Sequence, residues 1–177
     1  SSVKGDGITD VLDDFIKFVP TPAEHEDYDA KNDADEDIKI KVDPAGKPAA
    51  FVFKTIADPF LGKISLAKVI SGTLRSGQEI YNARAQKSEK LGSMFFMRGK
   101  NQVEAPAVEA GDIVAIAKLQ FTKTGDTLCE KANIVKFPPV KFPAPALYIA
   151  IEPKDKGDDE KVGTGLHKLM EEDPSFV

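Results

Sequence analysis

The chain has 177 residues, of which 41% are apolar and 30% are charged, and its net charge is −5. This length and apolar content suffice to bury a sizeable core. The longest apolar run, residues 146–151, is too short to cross a bilayer, and the N-terminus lacks the apolar segment of a secretory signal, so we expect a cytoplasmic protein without membrane contact.

The charges are segregated along the chain. Residues 48–138 contain thirteen Lys and Arg residues against eight acidic residues, whereas residues 23–47 contain four lysines against nine acidic residues. The segments 1–22 and 139–177 are acidic as well. The middle of the chain is therefore basic between two acidic flanks, an arrangement that the net charge conceals.

The first predicted element is an amphipathic helix of about three turns within residues 1–22. Its apolar residues recur at helical spacing, namely Ile8, Val11, Leu12, Phe15, Ile16 and Val19. Thr9 is the expected N-cap, and Pro20 and Pro22 end the helix. We expect its apolar stripe to pack on a later part of the chain or on a domain that this chain lacks.

Residues 23–47 are predicted to form an acidic linker. Residues 23–37 have almost no apolar content and many like charges, which favour an extended tether. His25 lies among carboxylates, but without a folded cage such ligands bind a metal weakly, so we expect no metal site there.

Residues 48–142 predict a small closed antiparallel β-barrel, so the chain as a whole is mainly β. Short strand-like runs alternate with Gly, Pro and Asp at intervals of about ten residues. These runs are residues 50–56, 63–71, 79–83, 90–98, 107–118, 126–128 and 135–137. No helical pattern interrupts them, which excludes a parallel βαβ sheet, and closure into a barrel would remove exposed sheet edges.

Residues 143–177 are predicted to be an incomplete domain. A Pro-rich hinge leads into a strand at residues 146–152, and a helical pattern of Val162, Leu166, Leu169 and Met170 follows it. One strand and one helix cannot bury their apolar faces alone, so we expect them to fold back on the barrel or to associate between chains.

No catalytic or cofactor motif is found. A GTP-binding loop requires Gly-x-x-x-x-Gly-Lys-Ser/Thr. The chain has three Gly-Lys pairs, which begin at Gly46, Gly62 and Gly99, and none of them is followed by Ser or Thr. His25 and His167 have no recognisable triad partners, and Cys129 is expected to be a buried structural thiol. We therefore expect no catalytic residue, no metal and no cofactor in this chain, which is not predicted to be an enzyme.

The best candidate for a functional surface is a cluster of basic and polar side chains. Its members are Arg84, Lys87, Lys90, Arg98, Lys100 and Asn101, with Glu89 the one acidic residue among them. Cations at a hairpin can bind along phosphates and release counterions, although lysines on edge strands also prevent aggregation. The run from Met94 to Met97 between the basic clusters is interpreted as core packing and not as a base-stacking platform.

Several separated motifs resemble elongation factor G in their order along the chain. Residues 7–22 resemble the last helix of its GTPase domain, and residues 58–63 with residues 71–77 resemble the opening hairpin of its second domain. Residues 110–113 and 124–129 match later turns of that domain. Glu152-Pro153-Lys154 and the run from Glu171 to Phe176 resemble the first strand and helix of the third domain.

The resemblance implies an internal fragment of an elongation factor G-like translational GTPase. Its parts would be the C-terminal helix of the GTPase domain at 1–22, the linker at 23–47, the whole domain II barrel at 48–142 and the beginning of a ferredoxin-like domain III at 143–177. GTP and magnesium are then expected only in the missing GTPase domain, so the intact parent would be a GTPase.

The same resemblance implies that the barrel contacts small-subunit ribosomal RNA while the parent promotes GTP-dependent translocation on the ribosome. The basic and polar residues named above would meet this RNA, and the truncated third domain could support self-association. The acidic segment 24–37 and the runs 120–123 and 163–165 depart from the family's pattern. A paralogue that acts in ribosome recycling or ribosomal protection, or a barrel that serves as a protein-interaction module, therefore stays open as an alternative.

Overall fold

The computed structural model describes residues 2–25, 27–58, 60–99, 101–153 and 157–176. Helix α1 spans Ile8–Phe18, helix α2 spans Asp159–Glu172, and a short 3₁₀ turn covers Pro22–Glu24. The strands are β1 Tyr28–Lys31, β2 Asp37–Ile40, β3 Ala49–Asp58, β4 Gly62–Ser71, β5 Thr73–Arg75, β6 Glu79–Asn82, β7 Lys87–Lys90, β8 Met94–Arg98, β9 Asn101–Glu104, β10 Ala107–Glu109, β11 Ile113–Ala117 and β12 Thr127–Cys129.

Eight strands form the main sheet, in the order β7-β6-β12-β3-β4-β11-β8-β9, and every neighbouring pair is antiparallel. The long hairpin β3–β4 lies at its centre. Ala50 and Val52 of β3 and Ala67 and Val69 of β4 alternate with less buried neighbours, as one face of a strand requires.

The sheet surrounds a main core, and the chain is mainly β as predicted. The largest buried cluster combines side chains from both halves of the sheet with Leu74 of β5 and Val108 of β10. The hydrogen-bonded ladders do not close into a full ring, since β7 and β9 remain the end strands and β5 pairs with β10 in a separate ladder. Loop hydrogen bonds tie that ladder to the sheet, including the one from Gly111 N to Val69 O at 2.8 Å.

Two runs predicted as single strands are each divided between two strands. Within the run 90–98, β7 ends at Lys90 and β8 begins at Met94. The run 107–118 is split into β10 and β11 by a turn at Gly111. The sharp turn after β4 needs a glycine, because Gly72 has φ +69° and a Cβ there would lie 2.6 Å from Pro48 N. Residues 135–137 form no strand and pair with β1 only through the bridge between Lys31 and Lys136.

The acidic segment 23–47, predicted to be a linker, contains the hairpin β1–β2. Tyr28 and Ala30 of β1 and Ile38 and Ile40 of β2 project to one face, where they join a second core cluster with Phe137. The charged residues alternate with these and face water. The few apolar residues of the segment thus suffice for a strand pair, since only one face of the hairpin is covered.

Helix α1 confirms the predicted helix but not its predicted cap. Gly7 is the N-cap, at φ +74°, and no side chain caps the helix, so Thr9 belongs to the first turn. No residue of α1 is buried, and its apolar stripe is exposed, with Ile16 at 84%. The helix therefore presents this stripe to solvent in the described structure.

The C-terminal segment contains the predicted helix but not the predicted strand. Residues 146–152 form no ladder with any described strand, because no neighbouring strand offers them backbone hydrogen bonds. Helix α2 folds back on the β3–β4 hairpin, where Glu172 Oε1 accepts a hydrogen bond from Ala57 N at 2.5 Å. Lys63 Nζ lies 3.4 Å from Glu171 Oε1 at the same contact.

Cys129 lies in β12 and is completely buried, as predicted for a structural thiol. Burial raises the pKa of its thiol above the usual value. A protonated thiol is a poor nucleophile, so this residue contributes packing and not reactivity.

Candidate nucleic-acid interface

The β6–β7 hairpin carries three of the six residues proposed from the sequence. Its turn is held by Asn82, whose Oδ1 accepts hydrogen bonds from Arg84 N at 3.1 Å and Ala85 N at 2.8 Å. Arg84 follows β6, and Lys87 and Lys90 are the first and last residues of β7. All three cations are exposed at one end strand of the main sheet.

Arg84 is anchored by a buried carboxylate. Its Nε and Nη2 both donate to Asp126, the Nη2–Oδ2 distance being 2.8 Å, and these hydrogen bonds raise the pKa of the guanidinium. The Asp126 side chain is 1% exposed, whereas that of Arg84 is 53% exposed. The guanidinium is therefore held by a bidentate contact with Asp126, while the Arg84 side chain remains half exposed to solvent.

The loop 118–126, between β11 and β12, is fastened to the same hairpin through Glu89. Glu89 Oε2 accepts hydrogen bonds from Gln120 N at 2.6 Å and Phe121 N at 2.9 Å, and its Oε1 accepts one from the Thr122 hydroxyl. Asn82 Nδ2 joins the two sides by donating to Thr122 Oγ1 at 3.0 Å. Buried, hydrogen-bonded polar groups of this kind position a loop rigidly.

Phe121 is held at the outer face of this loop beside two of the proposed cations. Arg84 Nη2 donates to Phe121 O at 3.2 Å, and Lys87 Nζ lies 4.3 Å from the centre of the Phe121 ring. The ring is 37% exposed. Sequence reasoning missed this residue together with the exposed Lys118 and Lys123 of the loop, because the sequence separates them from the hairpin by about thirty residues.

The remaining proposed residues lie on a second hairpin. Arg98 ends β8 and Asn101 begins β9, and the two are register partners at the tip of that hairpin. Both are exposed. Lys100 lies outside the described residues. The structure thus brings Arg84 and Lys87 together around Phe121, and Arg98 and Asn101 together at the other end strand of the sheet.

Two acidic side chains at the β6–β7 hairpin point away from its exposed cations. Glu89 and Asp126 point inward, where backbone amides and Arg84 occupy their oxygens. Within the part of the chain that the structure describes, no carboxylate forms an ion pair with Lys87, Lys90 or Arg98. Around Arg84 and Lys87 the solvent therefore meets cations whose nearest acidic residues face inward, whereas Glu79, opposite Lys90, is exposed.

Potential metal ligands do not cluster among the described residues. Among them, no three His, Cys, Asp or Glu side chains converge on a metal position. His25 stacks on Tyr28 with ring centres 4.4 Å apart, and His167 lies on the exposed side of α2. Of the described helices, none has both the length and the apolar character needed to span a bilayer.

Two family models and one solved structure match this chain. Residues 47–131 match the family model of elongation factor G domain 2, and residues 142–177 match that of elongation factor G domain III. A crystal structure of the protein ttk003000868 from Thermus thermophilus is similar at a TM-score of 0.71 and 26% identity. The match covers 96% of this chain but 23% of that protein, so the chain spans about a quarter of its length.

Proposed function

The chain belongs to the elongation factor G-like proteins, with a domain II followed by the beginning of a domain III, and from this premise we propose that its barrel binds the ribosome. The partner in this proposal is small-subunit ribosomal RNA. Arg84, Lys87, Lys90 and Arg98 meet its phosphates, and Asn101 meets a sugar or a base edge. Lys100 is included on the strength of the sequence alone.

The observation that supports this proposal is the division of charge at the β6–β7 hairpin. Glu89 of β7 and Asp126 of the loop 118–126 are buried. Lys87 and Lys90, which lie on the same strand as Glu89, are exposed. Lysines that served only for solubility would not require Glu89 and Asp126 to be buried next to them. Cations whose neighbouring carboxylates Glu89 and Asp126 face inward are suited to a polyanion, although Glu79, opposite Lys90, is exposed.

At the scale of the parent protein, we propose a GTPase that acts in translocation on the ribosome in the cytoplasm. GTP and magnesium would be bound by a GTPase domain that these residues do not contain. Roles in ribosome recycling or ribosomal protection use the same kind of barrel and remain alternatives within this proposal.

The proposal is tested by charge reversal on the two hairpins. The triple variant Lys87→Glu, Lys90→Glu, Arg98→Glu should weaken binding of the chain to isolated small ribosomal subunits by about tenfold or more at physiological salt. The slope of log K against log salt concentration should fall by about one unit for each lost phosphate contact. Binding is measured by sedimentation of the subunits over a range of potassium chloride concentrations.

A matched control distinguishes a local surface from net charge. The triple variant Lys54→Glu, Lys131→Glu, Lys141→Glu changes the net charge by the same amount at exposed lysines outside both hairpins. This control should bind nearly as the unchanged chain does. Equal weakening by both triple variants would contradict a specific RNA surface, and no weakening by either would remove the proposal.

A second candidate function, a protein-interaction module, is favoured by the exposed stripe of α1. Val11, Leu12, Phe15 and Ile16 are all at least half exposed, and such apolar patches mark protein interfaces. If this reading is correct, Phe15→Ser with Ile16→Ser should abolish ribosome binding while the charge reversals leave it unchanged.

A further inference from the structure

We infer that Phe121 is a stacking platform for one unpaired base of the RNA, and that Lys87 leaves the ring for the adjoining phosphate when the base arrives. The inference rests on the proposed RNA binding and adds to it the chemistry of recognition. The ligand is a single-stranded or bulged stretch of RNA, because bases inside a duplex are already stacked on their neighbours.

The backbone on which Phe121 sits is held in place before any ligand binds. Its N–H donates to Glu89 at 2.9 Å and its carbonyl accepts from Arg84 at 3.2 Å. Leu119, two residues before Phe121, and Thr122, directly after it, are both buried, so the loop is anchored on both sides of the ring. A fixed backbone leaves the ring with little freedom to lose on binding, which favours a contact site over a flexible tip.

Within this loop the ring is exposed where smaller side chains are buried. Leu119 and Thr122 are at most 2% exposed, whereas Phe121 is 37% exposed. The loop therefore directs its largest apolar group outward, beside the cations of the hairpin. An exposed aromatic ring among cations is the combination by which proteins bind single-stranded nucleic acid.

Lys87 supplies the second half of the site. Its ammonium lies 4.3 Å from the ring centre, over the face of Phe121. A base that stacks on this face displaces the ammonium, and the phosphate attached to that nucleotide offers the charge a new partner. No covalent bond is broken in this exchange, and the Lys87 side chain is exposed.

The test uses Phe121→Trp as a fluorescent reporter, since the chain contains no tryptophan. Naked small-subunit ribosomal RNA and poly(U) should quench its emission, whereas a long poly(A)·poly(U) duplex should bind through charge without quenching. The control variant Phe60→Trp places the reporter at an exposed turn outside both hairpins, and its emission should not respond. Equal quenching by the duplex, or no quenching by bound poly(U), would overturn the inference.

Binding affinity separates this inference from the proposed function. Phe121→Leu should weaken binding to poly(U) by about tenfold with an unchanged salt slope, because it removes stacking but no charge. Phe121→Tyr keeps the ring and should bind like the unchanged chain. If Phe121→Leu binds normally while the hairpin charge reversals weaken binding, the inference of base stacking on Phe121 is wrong and the proposed RNA binding is supported. If the unchanged chain binds none of these RNAs, both are wrong.

Discussion

At the scale of single residues, Asp126 is the shared acceptor beneath the basic surface. Its buried carboxylate accepts hydrogen bonds from Arg84, from Asn82 Nδ2 at 2.9 Å and from Lys123 N at 2.8 Å. It thereby joins the hairpin to the loop 118–126. An acidic residue thus builds a surface that we propose to bind an anion, by fixing the groups that face outward.

We expect Asp126→Ala to destabilise the chain by about 2–4 kcal/mol, since it leaves buried donors without an acceptor. The free energy of unfolding is measured by urea titration. Arg84→Ala is the matched comparison, and we expect it to cost about 1 kcal/mol because the Arg84 side chain is half exposed. Equal losses for the two variants would show that the carboxylate has no role beyond its pairing with Arg84.

The sequence predicts which side chains form a basic cluster more readily than it predicts which partners they contact or which side chains face solvent. The sequence identified Arg84, Lys87 and Lys90 as a basic cluster, and all three are exposed. It could not show that Arg84 also serves as an internal anchor, because its partner Asp126 lies 42 residues away. Phe121 was missed for the same reason: its exposure depends on Glu89, a contact across 32 residues.

At the scale of secondary-structure elements, the β1–β2 hairpin belongs to the barrel. Lys31 and Lys136 exchange two backbone hydrogen bonds of 2.8 Å, and Lys136 Nζ lies 3.0 Å from Asp35 Oδ1 at the hairpin turn. Tyr28 and Phe51 each form a T-shaped ring contact with Phe137, at a centroid distance of 6.4 Å. The segment is ordered by aromatic packing and backbone pairing despite its charge.

This docking predicts a large difference between adjacent substitutions in β1. Ala30→Glu should destabilise the chain by about 2 kcal/mol or more, because Ala30 is buried and a carboxylate there has no partner. Asp29→Glu should be nearly neutral, because Asp29 is exposed and the longer carboxylate can still reach Lys39. Thermal unfolding measured by circular dichroism tests both. A neutral Ala30→Glu would mean that the hairpin is a detached tether after all.

The elements that were predicted correctly carry their own periodicity. Helix α1, helix α2 and the long strands β3 and β4 all show it in their apolar spacing. The acidic hairpin was missed because four apolar residues among many charges give a weak signal. The strand expected at 146–152 has the right composition, but a strand also needs a neighbour, and no composition can supply one.

At the scale of the whole molecule, the beginning of domain III is joined to domain II by carboxylates. Helix α2 reaches the outer edge of β3 beyond the end of β12, where the Ala57 amide faces away from β4. Glu172 accepts from this amide, and Glu171 approaches Lys63, whose side chain is only 14% exposed. Tyr148 of the preceding segment is 88% exposed, so self-association through domain III remains a prediction.

If Glu172 holds α2 on the barrel, Glu172→Ala should free the Ala57 amide to exchange with solvent. We expect its hydrogen exchange to accelerate about tenfold or more, since a charge-assisted hydrogen bond is lost. Glu160→Ala, at the exposed opposite end of α2, should leave that exchange unchanged. Amide exchange is followed by NMR, and light scattering of the same samples shows whether the released helix associates with a second chain. Unaltered protection of the Ala57 amide from exchange would show that α2 docks without the Glu172 carboxylate. The contact between α2 and the barrel would then depend on Glu171 and Lys63.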